Sequence, residues 1–135
     1  MKTTQDAYDL IAKNLLRTMP QFSSWEFLQL NTIILKNALG RTITIQKLLD
    51  GSVLDIPIGM HIFDIQNAVL FLRENILQIS ENRIWELTFT LHSDGKINVE
   101  YGYKKPVGYE DSDGVMTGDE ANASLNSLSS NKNKG

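Results

Sequence analysis

Apolar positions along the chain fall into periodic runs whose period switches between helical and extended. Tyr8, Ile11, Leu15 and Met19 recur at three- and four-residue steps, and Ala12 and Leu16 widen the stripe, which predicts an amphipathic helix. Thr3 or Thr4 caps its start, Asp6 and Asp9 lie in or near its first turns, and Arg17 lies near its end. Pro20 stops it, because the residue before a proline avoids the helical region. Residues 25–35 and 41–49 are dense in aromatic and branched side chains and are separated by the turn-forming run Lys36-Asn37-Ala38-Leu39-Gly40, which predicts an antiparallel hairpin. Within its second strand Ile43 and Ile45 alternate with Thr42 and Thr44, a half-buried pattern. Asp50-Gly51-Ser52 is a turn, and residues 53–58 fit a short edge strand or an extended loop, since Pro57 cannot donate to a ladder.

The clearest run is Ile62, Ile65, Val69, Leu72, Ile76 and Ile79, with Phe63, Ala68, Leu70, Phe71 and Leu77 thickening the same face. It predicts a second helix, apolar enough to cover a sheet. A second hairpin follows, in which Trp85, Leu87, Phe89 and Leu91 alternate with polar residues, as do Ile97, Val99, Tyr101 and Tyr103. A two-residue Asp94-Gly95 turn would set Leu91 against Asn98, apolar against polar. A three-residue Ser93-Asp94-Gly95 loop with Gly95 in the left-handed conformation pairs Leu91 with Ile97, Phe89 with Val99, Leu87 with Tyr101 and Trp85 with Tyr103, giving a continuous apolar face. The predicted fold class is therefore α+β in helix–hairpin–helix–hairpin order, an antiparallel sheet covered by helices on one face and followed by an acidic C-terminal tail.

The tail appears when composition is added. The chain has 135 residues, 41% hydrophobic and 21% charged, an ordinary globular balance for one domain. After Pro106 the side chains become small and polar, which divides the chain into a single α+β domain over 1–108 and an acidic, polar tail over 109–135. Thr117 and Glu120 fit a capping box for a short helix over 118–130, whose only large aliphatics are Leu125 and Leu128. Residues 1–105 hold eleven Lys/Arg and eleven Asp/Glu, so the whole net charge of −3 comes from the tail acids Glu110, Asp111, Asp113, Asp119 and Glu120 set against two lysines. A neutral body gives no drive toward phosphate, which argues against nucleic acid, and the acidic segment points to a positively charged partner or to plain solvation. Cysteine is absent, excluding disulfides and thiolate metal sites. No apolar run follows Lys2 and none approaches the roughly 18 residues of a spanning helix, so the expectation is a cytoplasmic protein without a membrane partner.

Candidate chemistry is sparse. His61 and His92 are the only histidines and share no metal-ligand spacing. No nucleophile–base pair, phosphate-cradling glycine loop or zinc motif is present, so the expectation is no catalytic residue, no cofactor and no metal. The run 109–120 places Asp111, Asp113, Gly114 and Glu120 at calcium-loop positions, but Tyr109 stands where the first carboxylate belongs. Asn122-Ala123-Ser124 matches a glycosylation sequon that carries meaning only in a secreted chain. Trp85, Tyr101 and Tyr103 either fill the core or form a recognition surface, with Tyr103 at the strand end the best placed for exposure.

The run from Ile84-Trp85-Glu86-Leu87-Thr88-Phe89-Thr90-Leu91 through His92-Ser93-Asp94-Gly95-Lys96 to Tyr101-Gly102-Tyr103 resembles the C-terminal hairpin of the YezG-like immunity proteins. That family shows a tryptophan, an alternating Leu-Thr-Phe-Thr strand, a Ser-Asp-Gly-Lys turn and a Tyr-x-Tyr strand end. The element order over residues 7–105 is similar too, with a helix closing at Met19-Pro20 and a hairpin opening at Trp25. Lys104-Lys105-Pro106 departs from the family, where acids follow the strand end. The resemblance implies a non-enzymatic immunity protein that binds and neutralises a cognate toxin domain, often a nuclease, as in contact-dependent growth inhibition. A cationic nuclease cleft would be met by the tail acids, with Tyr103 and Tyr109 as candidate anchors. The alternative is an adaptor or chaperone-like module for a secretion or signalling partner. Exposed strand edges leave room for a homodimer.

Overall fold

The computed structural model describes residues 1–106. The expected domain boundary after residue 108 lies outside the described residues, as do the calcium-loop and sequon matches, the candidate helix over 118–130, and Tyr109, Glu110, Asp111, Asp113, Asp119 and Glu120. Two helices and a five-stranded antiparallel sheet make a mixed α+β fold: α1 (Thr4–Thr18), β1 (Trp25–Ile34), β2 (Leu39–Leu48), β3 (Val53–Asp55), a 3-10 turn (Gly59–His61), α2 (Ile62–Ser80), β4 (Glu86–His92) and β5 (Ile97–Gly102). Strand order is β3-β2-β1-β4-β5.

Thr3, not Thr4, caps α1. Its hydroxyl accepts from the Asp6 N–H at 3.1 Å while the Asp6 carboxylate accepts from the backbone N–H groups of Thr3 and Lys2, so these orphan donors are satisfied reciprocally and the Asp6 carboxyl is held below its ordinary value by those bonds. Residues 53–55 settle as a short edge strand ahead of Pro57. The 3-10 turn hands the chain to α2, whose cap residue Glu81 sits at φ 62, in the left-handed region, with its N–H bonded to the Leu77 carbonyl. Glycine adopts that conformation without the Cβ penalty. Glu81→Gly is expected to stabilise the fold by about 0.5–1 kcal/mol, measured as a raised urea midpoint at unchanged m-value.

The last hairpin carries the three-residue loop. Gly95 is at φ 93, the His92 N–H donates to the Lys96 carbonyl at 2.8 Å, and the ladder pairs Leu91 with Ile97, Phe89 with Val99 and Leu87 with Tyr101. The expected Trp85–Tyr103 pair does not form, because the ladder ends at Glu86–Gly102 and the Trp85 N–H turns to the Gly102 carbonyl.

Both helices lie on one side of the sheet. Ala7, Ile11 and Leu15 of α1 and Ile65, Ala68, Val69 and Leu72 of α2 pack on Leu28, Leu30, Leu87, Phe89 and Leu91. Polar clamps fix the helices in place. The Arg73 guanidinium donates from α2 to the carbonyls of Leu35 (2.5 Å) and Lys36 (2.6 Å), holding the β1–β2 turn. Tyr8 on α1 meets Tyr101 on β5, hydroxyl to hydroxyl at 2.5 Å, and burial followed by this bond pushes the Tyr101 phenol above its ordinary value of 10.0.

Candidate protein-binding face

Which side of β2 is buried follows from its neighbour. β1 sends Leu28, Leu30 and Thr32 toward the helices, and the β1–β2 register sets Gln46, Thr44 and Thr42 opposite them. Residues directly opposite share a face, so the threonines and Gln46 of β2 point inward while Ile43 and Ile45 point out. The half-buried alternation is present, but its polar half is the covered one. Each inward polar group is consequently bonded. Thr42 meets Thr32 at 2.8 Å, the Thr44 hydroxyl donates to the Ile56 carbonyl at 3.0 Å, and the fully buried Gln46 amide accepts from the Gln21 N–H (3.0 Å) and donates to the Gln21 carbonyl (2.6 Å). A buried amide without such partners would cost about 1–3 kcal/mol.

The opposite side of the sheet meets no described element. Its middle is an ordered polar strip along β1 and β4. Gln29 donates to the Thr90 hydroxyl at 3.0 Å, and both protons of the Asn31 amide are used, one to Thr88 at 2.7 Å and one to the Glu86 carboxylate at 3.0 Å. On the β2–β3 flank lie Ile43, 47% exposed, and Val53, 56% exposed, with Ile45 between Gln29 and Asp55. Phe27 closes one end, its ring 6.1 Å from His92 and 5.8 Å from the Lys47 ammonium. A shallow cleft lined by Ile33, Arg41, Glu86, Lys104, Lys105 and Pro106 closes the other. Pre-ordered polar groups beside accessible aliphatic and aromatic ones are the makeup of a protein-binding surface.

Of the residues singled out from sequence, Tyr103 is described, and it is 52% exposed just beyond β5. Trp85 is buried, with the Arg83 guanidinium 3.6 Å from its ring centre, and Tyr101 is half-buried against Tyr8. The two histidines are far from a common site. The His61 ring nitrogen Nδ1 meets Oδ1 of the buried Asn14 at 2.7 Å, and since the Asn14 amide donates to the Leu10 carbonyl, His61 is the donor in that pair. His92 belongs to the uncovered face. Among the described residues, no group of three or more His, Asp or Glu is placed to hold a metal, and no helix is long and apolar enough to cross a membrane.

Sequence reasoning missed Ile43, Ile45 and Phe27 as surface residues. A signal was present: Arg41 and Lys47 share the parity of Ile43 and Ile45, and two cations on one strand side mark it as open to water. No protein-family model matches this chain, and a search of curated proteins finds no match.

Proposed function

We propose that this is an immunity protein that acts in the cytoplasm by binding a cognate bacterial toxin domain, a nuclease, and occluding its active site or substrate cleft. The observation that carries the reading is the inversion of β2. Its polar residues turn toward the helices, Thr42 and Thr44 half-buried and hydrogen-bonded and Gln46 fully buried in a glutamine clamp, while Ile43 and Ile45 stand on a face that no described element covers. Departures from local patterning of this kind cluster at functional surfaces. The resemblance of residues 84–103 to the YezG-like hairpin supports the same reading, and the acids Glu110, Asp111, Asp113, Asp119 and Glu120 suit a cationic cleft. In chain order Tyr103 and Tyr109 stand between β5 and those acids.

The test is affinity capture of the full chain from its native cell, with mass spectrometry of what co-purifies. A single stoichiometric basic domain encoded beside it is the expected result. Several unrelated partners would replace this reading by the adaptor or chaperone-like one, and an empty capture would overturn the toxin partnership.

A further inference from the structure

The two edges of the sheet are built differently. β3 is three residues long and Pro57 follows it closely, whereas β5 is six residues long, lacks proline and carries a single charge, Glu100. Short strands and nearby prolines blunt an edge, and a longer flat one is a template for pairing. Hydrogen-bond alternation shows which groups β5 offers. The His92 N–H donates to the Lys96 carbonyl and the Ile34 N–H to the Trp85 carbonyl, each at 2.8 Å. Carried along the antiparallel ladders, these bonds turn the backbones of Asn98, Glu100 and Gly102 toward β4 and those of Ile97, Val99 and Tyr101 to the outer edge. Among the described residues no strand meets them.

We propose that β5 pairs antiparallel with β5 of a second copy of this chain, centred on Val99, joining two sheets into one. This register gives all three outward residues outward partners: Val99 meets Val99, and Ile97 meets Tyr101 of the second copy. On the uncovered face Asn98 lies opposite Glu100 of the second copy. Lys96 lies opposite Gly102, with room to reach the same Glu100 on the diagonal, so the charges are complementary across the two-fold axis. The helix layer follows. Tyr8 reaches Tyr101, placing α1 over this edge, and Ala12 and the exposed Leu16 continue the Tyr8 flank at four-residue steps, toward α1 of the second copy. The dimer extends the candidate binding face across both copies and does not depend on what that face binds.

Light scattering on the full chain, run from low to high micromolar concentration, tests it. The expected mass is twice the 15.2 kDa of one chain. Glu100→Lys sets two cations together at each Lys96 contact and is expected to weaken the dimer about tenfold, and adding Lys96→Glu to it restores the dimer. Both positions are exposed, so folding is unaffected. A chain that stays monomeric throughout overturns the proposal. So does a dimer indifferent to Glu100→Lys, or a double variant no tighter than the single one.

Discussion

Replacing Phe89 with alanine is expected to destabilise the fold by about 3–5 kcal/mol, the range for removing a fully buried aromatic side chain. Phe89 is fully buried on β4, between Leu30 of β1 and Val99 of β5, with the Tyr8 ring 6.1 Å away and tilted by 53°. Its removal empties the point where α1, β1 and β5 converge, and neighbours on three elements cannot all close on the space. A domain of this size has roughly 5–15 kcal/mol in hand, so the loss approaches the whole stability at the lower end. Thermal unfolding followed by circular dichroism is expected to show a midpoint lowered by roughly 10–20 °C. Ile43→Ala, on the same sheet but on the uncovered side, is expected to change stability by less than about 1 kcal/mol, because its side chain is already half in water. Equal losses at the two positions would mean that something covers the outer face.

Neutralising Glu110, Asp111, Asp113, Asp119 and Glu120 together as amides is expected to slow association with the proposed toxin domain about 10- to 100-fold at low ionic strength, with most of the difference gone in high salt. The change moves the formal net charge from −3 to +2. Long-range attraction acts before contact, so the effect falls on the association rate, and dissociation changes less. Stopped-flow association at several salt concentrations reads this directly. An unchanged rate and salt slope would remove the tail from the mechanism and leave the uncovered face as the contact.

Local chemistry made much of the fold legible. Helical spacing from Tyr8 to Met19 and from Ile62 to Ile79 marked both helices, Pro20 marked the end of the first, and the mismatch of Leu91 with Asn98 selected the three-residue loop that Gly95 closes at φ 93. These signals act within a few residues of each other, where propensity, capping and turn geometry operate. The candidate face was much less legible, and β2 shows why. Alternation tells which residues of a strand share a side, but not which side the helices will cover. That choice belongs to the register with β1, where Leu28 and Leu30 claim the helix side for whatever lies opposite.

Both helices, the two hairpins, the loop of the last one, the neutrality of the body and the acidity of the tail could be read from the chain, because each is written in neighbouring residues, whereas the edge strand β3 and the start of β2 at Leu39 could not. Long-range pairing was needed to set the strand order, the inward side of Thr42, Thr44 and the buried Gln46, the exposure of Ile43 and the open edge of β5. Those depend on pairings between segments far apart in the chain. Gln46 is content inside because Gln21, twenty-five positions away, presents its N–H and carbonyl to it, and no local pattern encodes a partner at that distance.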